Sequence, residues 1–199
     1  MTFRIAMVLW NSPQSFAPHL RQKFMAHYPV VLTHGIAGCV ALGLGMIQFL
    51  RPLRRRAVRL HRAVGSIYLV SVFIGGAAAL PMALMAFGGV CAIAGFTLLA
   101  ILWLASGALA LRALLVGHIR QHGRWMIRNY ALTFSAIMVR GWLSVFDRFD
   151  VPLEVGYAVV AWISWVPALV IAELLIRYVT IRGAPTASQP EGTHRSFSL

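Results

Sequence analysis

Residues 89–115 read GVCAIAGFTLLAILWLASGALALRALL, an apolar run that contains a single charged side chain, Arg112. At 1.5 Å per residue, a helix of this length reaches about 40 Å, which exceeds the roughly 30 Å of hydrocarbon in a bilayer. The run follows Gly88, and the Gly88–Gly89 pair predicts a very tight turn from a preceding apolar run. This stretch therefore predicts two membrane-spanning helices joined by a tight turn.

Further apolar runs of similar length complete a set of five predicted membrane spans, at 29–50, 63–87, 89–115, 125–146 and 155–179. The composition agrees, because 59% of the 199 residues are hydrophobic and only 12% are charged, whereas soluble domains carry about 25% charged residues. The expected fold is an all-α integral membrane protein, an up-down bundle of about five transmembrane helices with short loops.

The flanking segments are predicted from their polarity and length. We expect residues 1–28 to form an interfacial or disordered arm outside the membrane, because the apolar part, Met1–Trp10, is too short to span. We expect residues 29–180 to form the five-helix transmembrane domain. Residues 181–199 are polar and rich in proline and serine, which predicts a disordered cytoplasmic tail.

Basic residues outnumber acidic residues by 18 to 5, giving a formal net charge of +13. They lie between the apolar runs and not along one soluble face, so no nucleic-acid partner is expected. Thirteen of them lie in or beside the loops after spans one and three and the tail, against four on the other side. The positive-inside rule then predicts a cytoplasmic C-terminus and an outside N-terminus. Anionic lipid headgroups are expected partners of the arginine loops.

Small residues and cysteines in the spans have packing interpretations. Gly35, Cys39 and Gly43 form a small-xxx-small pattern that is typical of close helix packing. Cys39 and Cys91 fall at different depths, so a disulfide is not expected, and both are predicted to be buried apolar side chains.

Polar residues at membrane depth are candidates for function, because ionisable groups are costly there. At 100° per residue, several of them align with small residues on one helix face. Three such stripes are His34–Gly38–Ala41–Gly45–Gln48, His61–Gly65–Tyr68–Val72–Gly75–Ala79 and His122–Asn129–Thr133–Ala136–Arg140.

The depths of these groups predict two polar sites. His34 and Arg140 both lie about six residues inside the outer ends of their spans, and they define an outer site. The inner site is richer and comprises His61, His118, His122, Arg62 and Arg128, with Glu173 facing them. Glu173 is expected to pair with Arg62 or Arg128, or to bond to His61. His118 and His122 have the i, i+4 spacing of metal ligands, but no carboxylate or thiolate accompanies them, and a metal site is not expected.

Two strings, His61-Arg62-x-x-Gly65-x-x-Tyr68 and His122-Gly123-Arg124-Trp125-Met126-x-Arg128-x-Tyr130, carry a family resemblance. Together with His34, Gln48-Phe49, Arg140, and Trp165 followed by Glu173, they resemble a bacterial family of predicted membrane proteins filed as domain of unknown function 2306. The resemblance covers roughly residues 24 to 180. It implies a helical inner-membrane protein and no particular chemistry.

Three functional hypotheses remain open from the sequence. The first is a redox module that binds b-type haem or a quinone. Haem would take His61 with His122 or His118 as ligands, Gly65 and Tyr68 on the ring face, and Arg62 and Arg128 near its propionates. The outer pair, His34 and Arg140, suits a quinone headgroup or a structural hydrogen bond better than a second haem. The second is a non-enzymatic accessory subunit or assembly factor of a larger membrane complex, and the third is a proton or small-molecule transporter.

Overall fold

A computed structural model describes residues 26–182. Within that range the chain folds into seven helices and no strands. They are α1 (Tyr28–Gln48), α2 (Arg51–Arg56), α3 (Val58–Leu84), α4 (Gly89–Leu115), α5 (Ile119–Arg148), α6 (Leu153–Ile163) and α7 (Val166–Arg182). The predicted arm, residues 1–28, and the predicted tail, residues 181–199, lie outside the described residues except for residues 26–28 and 181–182, and the last two of these belong to α7.

The long helices form a bundle in which chain neighbours are also spatial neighbours. α1 packs along α3, α3 along α4, and α4 along α5, while α6 contacts α4 and α7 contacts α5. The turns at 49–57 and 116–118 lie at one end of the bundle, here called the arginine-rich end. The turns at 85–88 and 149–152 lie at the other, here called the Gly88 end. The predicted all-α membrane bundle is confirmed.

Four segments are long and apolar enough to cross a membrane: α1, α3, α4 and the combined segment Leu153–Thr180. α5, the predicted fourth span, is the longest of the seven helices at 30 residues. It is long enough to cross a membrane, but it is less apolar than those four segments. It nevertheless packs against α1, α4, α6 and α7. The bundle therefore has the five predicted members, of which one is distinctly more polar than the others.

The last predicted span differs from expectation because it is two helices. α6 ends at Ile163 and α7 begins at Val166. Pro167 accounts for the break, since a proline has no N–H to donate and its ring clashes with the carbonyl four residues earlier, here that of Ile163. Pro81 lies within the last turn of α3, and α3 continues through it to Leu84.

The turn between α3 and α4 depends on glycine. Gly88 has φ +99° and Gly89 φ +69°, a backbone conformation that other residues rarely adopt. A Cβ on Gly88 would also lie 2.9 Å from the backbone nitrogen of Ala158. The predicted tight turn is present, and it lets the start of α6 approach the turn directly.

The outward faces of the bundle are apolar, as expected of helices that face lipid. Ile67 and Val70 on α3, for example, are 53% and 54% exposed. The prediction of buried cysteines is wrong, because Cys39 and Cys91 are both exposed within the described chain. Gly43 shares the outward face of α1 with Cys39 and has no atom near its Cβ position. The packing face of α1 is instead the other stripe, through Ala41, Gly45 and Gln48.

Candidate functional site

A hydrogen-bonded network of polar side chains lies at the centre of the bundle. The Tyr68 hydroxyl donates to the Asn129 Oδ1 at 2.6 Å. The Asn129 amide donates to the Trp103 carbonyl at 2.7 Å and to the Ser106 hydroxyl at 2.8 Å. Tyr68 and Asn129 are completely buried. The network therefore joins α3, α4 and α5 at a depth where the backbone alone offers no links between helices.

Thr133 extends this network toward the Gly88 end. Its hydroxyl accepts the indole N–H of Trp103 at 2.8 Å and donates to the Asn129 carbonyl at 2.9 Å. The Tyr68 hydroxyl lies 3.1 Å from the Thr133 hydroxyl oxygen. Every polar atom in this group thus has a partner, which fixes the rotamers of Trp103 and Thr133.

Beyond Thr133 and Trp103 the bundle contains a partly open cavity of about 360 Å³, here called the interior cavity. Helices α1, α3, α4, α5 and α6 all contribute to its walls. Most lining groups are apolar, among them Leu99, Leu132 and Val139, and the polar groups include His34, Thr133 and Arg140. A largely apolar cavity with a few converging polar groups is the usual form of a small-molecule site.

His34 is held in one orientation against the wall of the cavity. Its Nδ1 lies 2.9 Å from the Gly75 carbonyl oxygen, and its ring stands edge-on to Trp103 with centroids 6.3 Å apart. Because a carbonyl oxygen only accepts, Nδ1 carries the hydrogen, and Nε2 of the neutral ring is an acceptor. The structure therefore brings His34 to the cavity with one ring nitrogen engaged.

Arg140 contributes a fixed positive charge to the same cavity. Its Nη1 donates to the Ala136 carbonyl at 2.7 Å, one turn back on α5. A guanidinium has five N–H donors, so the others can serve a ligand. The structure thus places His34 and Arg140, predicted to share a depth, on the walls of one cavity.

The predicted inner residues differ in what each of them contacts. The Nδ1 of His122 on α5 donates to the Ala110 carbonyl at 2.8 Å, whereas His118 precedes α5 and is exposed. His61 lies in the first turn of α3, within electrostatic range of His122. The buried Nδ1 of His61 has no hydrogen-bond partner among residues 26–182.

Gln48 occupies the space beside His61. Its amide nitrogen donates to the His61 carbonyl at 3.2 Å, and a Cβ on Gly65 would lie 3.5 Å from the same amide. The Gly65 face, which was predicted to admit a flat ring, is therefore covered by Gln48. Tyr68, also predicted for that face, belongs to the central network, and Arg62 is exposed.

Glu173 is paired with Arg128. The two side chains form a bidentate contact, with Nε to Oε1 at 2.5 Å and Nη2 to Oε2 at 2.9 Å. The Arg128 guanidinium also lies 4.6 Å from the centre of the Trp125 ring. Arg128 was one of three partners suggested for Glu173 from the sequence, and the pair joins α5 to α7.

Two members of the central network, Trp103 and Ser106, were missed by sequence reasoning. They lie on α4, whose sequence is apolar on all sides, so no polar stripe marks its inward face. The spacing Trp103, Ser106, Gly107 and Ala110 is the available signal, since all four are buried at i, i+3, i+4 and i+7.

Fold and site together define a class: a multi-pass helical membrane protein whose bundle contains a mostly apolar, partly open cavity with a histidine and an arginine on its walls. Residues 31–176 match the family described as Predicted membrane protein (DUF2306), and the chain belongs to that family. The resemblance noted from the sequence is thereby confirmed. No curated protein and no solved structure matches the chain.

Proposed function

We propose that the protein binds a lipophilic ring compound with oxygen substituents, a quinone in the first instance, in the interior cavity. The observation that carries the proposal is the presence of both His34 and Arg140 on the walls of a mostly apolar space of about 360 Å³. Apolar walls favour a hydrocarbon ring, and two polar groups can engage its oxygens.

The chemistry of the two polar groups matches such a ligand. The remaining N–H groups of Arg140 can donate to a carbonyl oxygen, and a charged donor strengthens as that oxygen becomes more negative on reduction. The Nε2 of His34 can accept from the hydroxyl of a reduced ring. The two side chains thus suit both redox states, which is the property a quinone site needs.

The haem hypothesis has less support from the same geometry. His122 has its Nδ1 engaged by a backbone carbonyl, as metal-ligating histidines usually do. That contact of His122 is compatible with haem. The position of Gln48 is not, because it covers the Gly65 face that the haem ring would use. The absorption spectrum of the purified protein separates the two hypotheses, since a haem protein from haem-replete cells is coloured and has a Soret band.

Filling the interior cavity tests the quinone proposal. Gly38 lines the cavity and has no atom within 4 Å of its Cβ position, so Gly38→Phe is expected to put a ring into the space a ligand would take. Binding of a short-chain quinone, measured by quenching of tryptophan fluorescence in detergent, should weaken at least about tenfold. His34→Ala should weaken it up to about tenfold, and Arg140→Ala by roughly tenfold or more.

The matched control is Gly43→Phe, on the same helix but on the outward face, which should bind as the wild type does. Equal binding by Gly38→Phe and the wild type would refute the site. A protein that binds no quinone and has no Soret band would favour the accessory-subunit hypothesis.

We also propose that the chain lies in a bacterial inner membrane with the arginine-rich end toward the cytoplasm. The excess of arginines in the loops at that end supports this orientation. Reporter fusions after residue 182 should be active with a cytoplasmic reporter and inactive with a periplasmic one. The opposite pair of results would reverse the orientation.

A further inference from the structure

A second cavity opens at the arginine-rich end of the bundle, between the beginning of α5 and the end of α7. It has a volume of about 980 Å³ and is here called the arginine cleft. Four arginines line it, against one glutamate: Arg120, Arg124, Arg128, Arg177 and Glu173. The cleft is separate from the interior cavity, which lies toward the Gly88 end.

The positive charge of the cleft is only partly neutralised by the protein. Arg128 and Glu173 neutralise each other through their bidentate contact. Arg124 donates to the uncharged Thr180 hydroxyl at 3.0 Å, which leaves its charge in place. Arg120 and Arg177 are exposed and form no hydrogen bond or ion pair within residues 26–182. Among the described residues, the four arginines of the cleft therefore exceed its carboxylates by three, because Glu173, which also lies within electrostatic range of Arg177, is the one acidic residue in the lining.

The position of the cleft indicates what can supply that anion. It lies where α5 and α7 meet the arginine-rich loops, at the level of lipid headgroups if α7 crosses the bilayer. Trp125 and Ile176 add an apolar part to the same lining. Guanidinium groups bind phosphate oxygens through two parallel hydrogen bonds, and this geometry distinguishes arginine from lysine at phosphate sites.

We propose that the arginine cleft binds a phosphate group, and that the phosphate belongs to the headgroup of an anionic lipid. Arg120, Arg124 and Arg177 contact its oxygens, while the Arg128–Glu173 pair fixes the wall between α5 and α7. Trp125 and Ile176 lie against the glycerol and the first methylenes of the lipid. The site is independent of the interior cavity and of any quinone.

The test compares two triple variants that remove the same charge from the same end of the bundle. The first, here called the cleft variant, combines Arg120→Gln, Arg124→Gln and Arg177→Gln. The control, here called the α2 variant, combines Arg54→Gln, Arg55→Gln and Arg56→Gln on the exposed face of α2. The protein in neutral detergent is titrated with phosphatidylglycerol, with phosphatidylcholine or with inorganic phosphate. Bound ligand is counted by native mass spectrometry. The double variant Arg120→Gln with Arg177→Gln keeps the Arg124–Thr180 bond and serves if the triple variant folds poorly.

The wild type and the α2 variant should retain one phosphatidylglycerol in preference to phosphatidylcholine. The cleft variant should bind it about a hundredfold more weakly, because each of the three arginines near an anionic lipid contributes about a factor of five. Saturation of the wild type by inorganic phosphate, lost in the cleft variant, would support the phosphate site and assign it to a soluble ligand. Equal losses in the two triple variants, or no preference for phosphatidylglycerol, would overturn the proposal.

Discussion

Replacing Asn129 by leucine is expected to lower the free energy of unfolding by about 3 kcal/mol, with helix content unchanged. The substitution nearly conserves volume but removes three hydrogen bonds, to Tyr68, Trp103 and Ser106. Hydrogen bonds between membrane helices contribute roughly 0.6 to 1.7 kcal/mol each, and a fully buried site offers no water to replace them. Unfolding in mixed micelles by titration with sodium dodecyl sulfate measures the change.

Thr97→Val is the control for this prediction. It also deletes a polar group inside the bundle, but the buried Thr97 hydroxyl has no hydrogen-bond partner among the described residues. Its removal should leave the stability unchanged or raise it slightly, because an unpaired buried hydroxyl is itself unfavourable. Similar losses in both variants would mean that the central network contributes no specific stability.

Replacing Gly45 by valine should cost about 3 kcal/mol of stability through steric overlap. A Cβ at this position would overlap the Tyr130 ring and come within 2.9 Å of the Tyr68 ring. Tyr68 cannot yield easily, because its hydroxyl is held by Asn129 and it is completely buried. α1 must therefore move away from α3 and α5, which should be visible as a lower thermal midpoint in detergent.

Gly43→Val provides the comparison, two residues away on the same helix. It introduces the same β-branched side chain and the same change in helix propensity, but nothing lies within 4 Å of the Gly43 Cβ position. Its stability should stay within about 0.5 kcal/mol of the wild type. If Gly45→Val were equally well tolerated, the close approach of α1 to the two tyrosines would be in error.

The stripes on α1, α3 and α5 could be predicted because helical periodicity determines which residues share a face. Ala41, Gly45 and Gln48 are buried as one such face, and Asn129 and Thr133 as another. The competing pattern of Gly35, Cys39 and Gly43 illustrates where this reasoning ends. A glycine-rich helix offers small residues on two faces, and only the position of its neighbours decides between them.

The inner cluster illustrates a different limit. The sequence gives the depth of His61 and His122 along their helices, but side-chain rotamers and cross-helix contacts decide what their rings face. Gln48, from the end of α1, turns back to the His61 carbonyl and covers Gly65. That contact crosses the connection at 49–57, which contains α2, and the helical periodicity of α1 and α3 does not determine the path of this connection.

The polarity of α5 has a consequence for how the protein is made. Among the long helices of the described chain, α5 is the one that is not apolar enough to count as a membrane span by composition. It also carries the buried Asn129 and Thr133. Transfer of such a helix into lipid alone gives little favourable free energy. Once α3 and α4 are in place, α5 can form hydrogen bonds with Trp103, Ser106 and Tyr68. Biogenesis is therefore expected to be ordered. The first three long helices would enter the bilayer on their own hydrophobicity, and α5 would remain near the translocon until it could dock against them.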